Sequence, residues 1–262
     1  MNRSVAAVWG GFSHGFRSTV RDYNDLLSRA LMIVFIVTAM SALWHTALGA
    51  NGGVLDGYDL RSITWYVLGA QLAVNAVPQR LIETIGIEIG DGSIATAMLR
   101  PVSVFGLRFA IDLGGSLARL VGLVPVGLLL TLLLDGPPPS LAMLPLALVA
   151  IVLGTATNLA CQHILGATSF WLRDAKAGWF LFQKVVFLPG GMLIPLELLP
   201  GAIANPCRAL PFAAMAYVPG RIASGHFDVV AMATQVVWLG VLMLGAALIY
   251  SLGLRRLQTV GA

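Results

Sequence analysis

Long apolar runs alternate with short polar or glycine- and proline-rich segments along this chain. A helix needs about 20 apolar residues to cross a bilayer. The pattern therefore predicts six membrane-spanning helices, at residues 27–48, 63–85, 105–134, 141–172, 177–196 and 229–254. Because no long polar region separates these runs, we expect one all-α transmembrane domain that covers residues 1–262.

The first 26 residues follow a helical period instead of a continuous apolar run. Their apolar positions recur three or four residues apart, at Val5, Val8, Trp9, Phe12 and Phe16. This spacing places them on one face of a helix, and Trp and Phe on such a face suit the boundary between lipid and water. We predict an amphipathic N-terminal helix over 1–26 that lies on membrane lipid.

Residues 86–103 interrupt the apolar pattern between the second and third runs. Gly92 permits a sharp turn, and either Asp91 or Ser93 can cap a short helix that follows it. Arg100 suits the C-terminal end of that helix, and the proline after it stops the helix. A compact segment with such a defined end predicts a cytoplasmic surface that docks onto a partner.

A second interruption, at residues 187–222, combines apolar side chains with residues that break helices. It contains Pro189, Gly190, Gly191, Pro195 and Glu197. Broken backbone at membrane depth persists only when it is buried in protein or lines a water-filled cavity. We therefore predict short re-entrant helices that cap a pathway at the outer leaflet and form its outer gate, with Glu197 near the water boundary.

Composition and charge indicate the class of protein and its orientation. Hydrophobic residues make up 58% of the chain and charged residues 11%, with a mean hydropathy of +0.85, whereas soluble proteins carry about 25% charged residues. With the N-terminus in the cytoplasm, eleven basic residues fall in inner segments and three in outer ones, as the positive-inside rule requires. The inner residues are Arg3, Arg17, Arg21, Arg29, Arg80, Arg100, Arg108, Arg173, Lys176, Arg255 and Arg256, and the outer residues are Arg61, Arg208 and Arg221. Both termini are then cytoplasmic, and the scattered basic residues do not indicate nucleic-acid binding.

Polar side chains inside the predicted spans are candidates for a pathway, because such groups are costly at that depth. Gln71, Asn75 and Gln79 recur every four residues in the second span, and Lys184 lies in the fifth. We predict that these four residues line a substrate pathway. The alternative is that they form hydrogen bonds between helices of one subunit.

Other polar residues inside the apolar runs form weaker patterns. Asp112 and Arg119 lie seven residues apart, on roughly one face of the third span. His163 is a single histidine in the fourth span, and Cys161 and Cys207 show neither a disulfide nor a metal-binding pattern. We expect no metal site and no cofactor in this chain.

The order of these features resembles the permease subunits of type-2 ABC transporters, in the branch of stand-alone permeases of about this length. The similarity is carried by the N-terminal helix, by EIGDGSIATAMLRPV after the second run, by FLPGGMLIPLELLP at 187–200, and by LPF followed by YVPGR at 217–221. No segment matches GxxxxGK[ST], the phosphate-binding loop of many ATPases. We therefore expect a transport subunit and not an enzyme.

The resemblance implies ATP-driven export through a pathway that this chain forms with a second permease, identical or related. Each permease would lend its second and fifth spans, and two copies of an ATPase subunit would bind ATP and Mg²⁺ below them. The implied ATPase contact consists of the N-terminal helix and a segment that contains Glu83, Glu88, Asp91 and Arg100, and the implied location is a bacterial inner membrane. A self-sufficient secondary transporter or channel and a membrane enzyme stay as alternatives at this point.

Overall fold

The computed structural model describes residues 3–50, 53–98, 102–172 and 176–260, and the regular elements within those ranges are helices. In the first half these are α1 (Arg3–Val20), α2 (Tyr23–Ala50), α3 (Leu60–Asn75), α4 (Leu81–Gly90), α5 (Ile94–Met98) and α6 (Val104–Leu134). In the second half they are α7 (Leu144–Ala167), α8 (Lys176–Phe187), α9 (Gly201–Ala209), α10 (Pro211–Met215), α11 (Tyr217–Ala223) and α12 (Val229–Val260). The expected all-α architecture is confirmed for this part of the chain.

Within the described residues, four helical segments are long and apolar enough to cross a bilayer. They cover Tyr23–Gly49, Val104–Leu134, Leu141–Phe170 and Val229–Leu257, the third being α7 with the short 3-10 turns at its two ends. These segments confirm four of the predicted spans. Large apolar side chains on their outer faces, such as Phe35 and Leu244, are exposed, as expected of surfaces that contact lipid.

The long helices run in two opposite directions, so their ends form two groups. Ser41, late in α2, donates a hydrogen bond to Asp135 after α6 at 2.8 Å, so α2 and α6 run the same way. Asp112, early in α6, lies 3.1 Å from His163, late in α7, so α7 runs the opposite way. We call the end of the bundle that holds Asp112 the lower end and the end that holds Asp135 the upper end.

The predicted span at 63–85 is not one helix, because residues 76–80 separate α3 from α4. The break contains a proline, which cannot supply the backbone donor of a continuing helix. Arg29 of α2 closes the break: its guanidinium donates to the carbonyl oxygen of Asn75 and, at 2.9 Å, to that of Val77. A side chain from another helix thus satisfies carbonyls that a continuous helix would satisfy itself.

The predicted span at 177–196 is also interrupted, because α8 has only 12 residues and ends before two glycines. Gly191 has a φ of +70°, which glycine tolerates better than other residues. The Gly190 carbonyl accepts a hydrogen bond from the Tyr217 amide at 3.0 Å, and the Gly191 carbonyl accepts one from the Tyr66 hydroxyl. Twelve residues rise about 18 Å, less than the ~30 Å of a bilayer core, so α8 alone cannot cross it.

Short helices α9, α10 and α11 fill the upper end between this second break and α12. Gly220 of α11 packs on Tyr66 of α3 so closely that a Cβ atom there would lie 2.8 Å from the Tyr66 carbonyl oxygen. Leu196, Met215 and Tyr217 are buried, so this segment belongs to the packed core and is not an exposed loop. The predicted short helices are confirmed, and their re-entrant position in a membrane stays a prediction.

Helix α1 packs along the first half of α6 through small residues. A Cβ atom at Gly15 would overlap the carbonyl oxygen of Ile111, and one at Gly114 would overlap the carbonyl oxygen of Phe12. The two backbones therefore touch directly. Trp9 on the predicted apolar face is 63% exposed. A helix is confirmed over Arg3–Val20 and ends before residue 26 of the predicted range, and the lipid contact of its aromatic face stays a prediction.

Candidate functional site

A cleft of about 280 Å³ lies between α2, α3, α7 and α8. We call it the amide cleft, because six carboxamide side chains and one lysine line it, among apolar residues that form the rest of its wall. These seven residues are Gln71, Asn75, Gln79, Asn158, Gln162, Gln183 and Lys184. The structure thus brings together all four residues predicted for the pathway, while their role in transport stays a prediction.

Three of the amides in the cleft are absent from the sequence-based set. Asn158 and Gln162 lie four residues apart in α7, the same spacing that singles out Gln71 and Asn75 in α3. That spacing places both members of a pair on one helix face, so the sequence contained the signal. Gln183 has no comparable partner in α8, and only the fold reveals it.

The two amide pairs satisfy part of their own hydrogen bonding. Asn75 Nδ2 donates to Gln71 Oε1 at 2.7 Å, and Gln162 Nε2 donates to Asn158 Oδ1 at 2.9 Å. Gln71 is fully buried and Gln162 is 6% exposed, yet Gln71 Nε2 and Gln162 Oε1 have no hydrogen-bond partner among the described residues. A buried polar atom without a partner costs about 1–3 kcal/mol. These two atoms therefore leave hydrogen-bonding capacity unused on two of the helices that line the cleft.

Gln79 and Lys184 lie at the exposed rim of the cleft. The Trp179 indole donates to the Gln79 carbonyl at 2.7 Å, which fixes α8 against the break after α3. Lys184 Nζ is 5.1 Å from the centroid of the Phe180 ring, where the ring face attracts an ammonium group. The lysine is thus held on its own helix by a ring and brings a positive charge to the rim.

A second cavity, which we call the lower groove, has a volume of about 550 Å³ and lies between α4, α5 and the start of α6. Pro78, in the break after α3, lines both the amide cleft and the lower groove. Glu88 of α4 forms an ion pair with Arg108 of α6 in this groove. The break therefore connects the cleft to the segment that was predicted to dock onto a partner.

The residues predicted for an ATPase contact have different surroundings near this groove. Asp91 is exposed, and its Oδ1 accepts a hydrogen bond from the Ser93 amide at 2.9 Å, which lowers the pKa of the Asp91 carboxyl. This bond closes the turn between α4 and α5, and the capping of α5 by Asp91 or Ser93 stays a prediction. Glu83 is half-buried, and Glu88 is held in its ion pair with α6. Arg100 lies outside the described residues. Asp91 is thus the freest of the described carboxylates for contact with another subunit.

The charged residues of α6 have partners on other helices. Arg119 Nε lies 2.6 Å from Asp25 Oδ2, and Asp25 Oδ1 lies 2.7 Å from Arg29 Nε. Asp112 pairs instead with His163. The sequence places Asp112 and Arg119 on roughly one face of a helix, and the structure shows that they serve two separate clusters.

His163 is fully buried at the lower end and joins three helices. Its Nε2 lies 3.1 Å from Asp112 Oδ2 of α6, and its Nδ1 lies 3.1 Å from the Tyr250 hydroxyl of α12. The side chain therefore belongs to a cluster, although in sequence it stands alone in an apolar run. Its partners are too distant in sequence for any spacing rule to find.

Glu197, predicted for the outer gate, is half-buried in an ionic cluster at the upper end. Arg221 Nε lies 3.0 Å from Glu197 Oε1 and Arg221 Nη1 lies 2.6 Å from Asp228 Oδ2, while the Tyr217 hydroxyl also donates to Glu197. The hydrogen bond from Arg221 lowers the pKa of the Asp228 carboxyl. The other gate residues, Pro189, Gly190, Gly191 and Pro195, form the second break next to this cluster.

Metal-binding side chains are not clustered in the part of the chain that the structure describes. No group of three or more His, Cys, Asp and Glu residues there could hold a metal ion. Cys161 and Cys207 are both buried and unbonded to each other. Among the described residues, the amide cleft is lined by carboxamides and contains no carboxylate, imidazole or thiol.

Comparison with known proteins gives a match that covers most of the chain. The model of the family described as "ABC-2 family transporter protein" matches residues 35–261. That range includes both helix breaks, the lower groove and nearly all of the amide cleft. No curated protein matches the chain.

Proposed function

Because the chain belongs to the ABC-2 transporter family as a membrane permease subunit, we propose that it exports a substrate with energy from a separate ABC ATPase. Membership of this family implies the partnership with an ATPase. In the proposed complex, a second permease, identical or related, completes the pathway, and two copies of the ATPase subunit bind ATP and Mg²⁺. The membrane is a bacterial inner membrane.

The observation that carries this proposal is the amide cleft. Six carboxamides converge in a cleft whose other walls are apolar. Polar groups at membrane depth are costly, so their presence there marks a candidate functional site. The cleft lies where α3 and α8 are interrupted, and interrupted helices favour substrate sites in transporters because they expose backbone groups. Gln71, Asn75, Gln79 and Lys184 are the proposed pathway residues.

The proposed topology has six crossings with both termini in the cytoplasm. Four crossings use the long helices. We assign the other two to α3 continued by α4, and to α8 continued by the second break. The lower end then faces the cytoplasm, which agrees with the excess of basic residues predicted for inner segments.

The proposed ATPase contact is the exposed surface of α4 and α5 at the lower groove. Gly92 has a φ of +76° and Ile94 is buried, so a turn and an apolar anchor give this surface a defined shape. Displacement of α4 would reach the amide cleft through the break that contains Pro78. At the upper end, the second break and Glu197 form the proposed outer gate.

Purification and reconstitution test this proposal together. Tagged protein isolated from its native membrane in mild detergent should bring an ATPase subunit in near one-to-one ratio, identified by mass spectrometry. The reconstituted complex should move substrate only with ATP. If no ATPase accompanies the protein and the protein alone moves solute down an ion gradient, the secondary-transporter alternative replaces this proposal.

A charge substitution tests the docking surface. Asp91→Asn keeps the oxygen that accepts from the Ser93 amide but removes a charge from the surface, so we expect weaker ATPase binding in an unchanged fold. Asp56→Asn is the matched control, because Asp56 is also exposed but lies in the upper-end loop before α3. Equal ATPase affinity for the two variants would contradict the assignment of Asp91.

A further inference from the structure

The amide cleft holds two buried polar atoms whose hydrogen-bonding capacity its own residues do not use. Gln71 Nε2 is a donor on α3 and Gln162 Oε1 is an acceptor on α7, and both side chains line the cleft. Buried polar groups in native proteins nearly always have a partner. A molecule in the cleft contacts both helices and can supply both partners.

The neighbouring amides decide which atoms are left for a ligand. Asn75 Nδ2 donates both to Gln71 Oε1 at 2.7 Å and to the Gln71 carbonyl at 3.0 Å, so the Gln71 amide keeps its NH₂ group directed away from Asn75. Gln162 uses its NH₂ group on Asn158 and leaves its oxygen. The ligand must therefore accept from α3 and donate to α7. A hydroxyl or a carboxamide does both, whereas a carboxylate only accepts and an ammonium only donates.

Charge around the cleft argues against a cationic ligand. Among the described residues that line it, Lys184 is the one charged side chain. A cation in the cleft would meet a like charge and no carboxylate, at a depth where an unpaired charge is costly. A neutral ligand avoids this repulsion.

Aromatic and aliphatic side chains indicate the rest of the ligand. From α8 the cleft receives Trp179, Phe182 and Phe187, and from α2 it receives Met32 and Ile36. Such walls bind the apolar part of a small molecule, and a few polar groups fix its orientation. The volume of about 280 Å³ accommodates a ring with one polar substituent.

We propose that the amide cleft binds neutral amphiphiles in which an apolar ring adjoins a hydroxyl-bearing or carboxamide group. Gln71 donates to that group and Gln162 accepts from it, while the α8 aromatics contact the ring. This proposal rests on the proposed function, because it names the substrate class of the same pathway. It selects glycoside-like and amide-like compounds and rejects organic cations.

Three probes that share one ring distinguish these chemistries. They are para-nitrophenyl β-glucoside, para-nitrobenzamide and para-nitrobenzyl-trimethylammonium, each titrated against the full-length protein in lipid nanodiscs, with binding measured by equilibrium dialysis. We expect the glucoside or the benzamide to bind at least tenfold more tightly than the cation, about 1.4 kcal/mol. The stronger of the two neutral probes tells whether hydroxyl or carboxamide is preferred. Equal binding of all three, tighter binding of the cation, or no binding of either neutral probe overturns the proposal.

Substitutions place the binding at the two glutamines. Gln71→Leu and Gln162→Leu should each weaken the neutral probe at least tenfold and leave the weak binding of the cation unchanged. Thr155→Val is the matched control, because Thr155 is a buried polar residue of α7 that donates to the Ala73 carbonyl of α3 and does not line the cleft. If Thr155→Val weakens the probe as much as the glutamine variants do, the effect comes from α3–α7 packing and the proposal is wrong.

The probe comparison on the unmodified protein needs no variant to fold, so it decides the substrate class by itself. Its outcome is also separable from that of the proposed function. Co-purification with an ATPase together with preferred binding of the cation would leave the permease role intact and overturn only the substrate class. Preferred binding of a neutral probe without any ATPase would retain the binding site and overturn the ATP-driven role.

Discussion

The two interrupted helices of the bundle are stabilised in different ways. After α3, the carbonyls of Asn75 and Val77 accept hydrogen bonds from the guanidinium of Arg29. After α8, the carbonyls of Gly190 and Gly191 accept hydrogen bonds from a backbone amide and from a tyrosine hydroxyl. One break depends on a charge, and the other depends on neutral groups and glycine geometry.

This difference determines what each break can respond to. Arg29 also pairs with Asp25, which pairs with Arg119. The break after α3 therefore belongs to an ionic cluster shared by α2, α3 and α6. Tyr66 brings no charge, and the break after α8 is fixed by close packing of α3 on α11. Changes in electrostatics at the lower end therefore affect the break after α3, while the break after α8 depends mainly on packing.

The largest effect is expected from Arg29→Leu. Arg29 is 4% exposed, and its removal leaves two carbonyls without partners, a loss of about 1–3 kcal/mol for each, while Asp25 keeps its contact with Arg119. The free energy of unfolding, measured by denaturant titration in detergent micelles, should fall by this amount. Arg80→Leu is the control, because Arg80 is exposed near the same break and its side chain caps no helix. Equal losses in the two variants would show that Arg29 does not hold the break.

A smaller effect is expected at the second break from Gly191→Ala. At a φ of +70° an alanine costs about 1–2 kcal/mol, and its Cβ atom would lie 3.0 Å from the Tyr66 hydroxyl oxygen. Gly53→Ala separates the two causes, because Gly53 has a φ of +86° but no heavy atom within 4 Å of the added Cβ. The same unfolding measurement should show a greater loss for Gly191→Ala than for Gly53→Ala. The reverse order would show that close packing does not stabilise this break.

Tyr66→Phe tests the neutral hydrogen bond alone. The ring stays in place and only the hydroxyl that donates to Gly191 is lost, so we expect a loss of about 1–2 kcal/mol in the unfolding free energy. Tyr23→Phe provides the comparison, because Tyr23 is 79% exposed and its hydroxyl is available to water. A loss for Tyr66→Phe as large as that for Arg29→Leu would contradict the distinction between a charged and a neutral break.

The smallest effect concerns the ion pair between Arg221 and Asp228 beside the upper break. Because the pKa of Asp228 is lowered from 3.8 by Arg221, the stabilisation is complete above pH 3.8 and is lost as the pH falls through the lower value in the folded protein. Asp228 is partly exposed, so the contribution is about 0–1 kcal/mol. Asp228→Asn should lower the unfolding temperature slightly at neutral pH and make no difference at strongly acidic pH. A difference that grows with acidity would have the wrong sign.

Sequence reasoning located elements whose signals are local. Four long apolar runs became helices of the expected length, because a run of about 20 apolar residues needs no distant partner to be recognised. The prediction of one helix over 63–85 is wrong. Arg29, which stabilises the break in this range, lies in another helix and cannot be recognised from the local pattern. The run at 177–196 contains a local helix-breaking signal in Gly190 and Gly191, but its apolar content favours a continuous span.

The candidate site followed the same division. Spacing of four residues identifies Gln71, Asn75 and Gln79 as one set, and the same spacing at Asn158 and Gln162 carries an equal signal. Arg119, Arg108 and Tyr250, which contact Asp25, Glu88 and His163 respectively, lie 94, 20 and 87 residues away from them in sequence. Such contacts depend on tertiary packing, so no local pattern could reveal them.

The glycine contact between α1 and α6 has a mechanical consequence. At Gly15 and Gly114 the two main chains meet without side chains between them, and main chains do not change rotamer to absorb a displacement. A displacement of α1 would therefore be transmitted directly to α6 through backbone contact. Helix α6 has 31 residues, extends about 46 Å and contains Pro125, so the stretch from Gly114 to this proline would move with α1, while the proline permits the stretch that ends before Asp135 to bend separately.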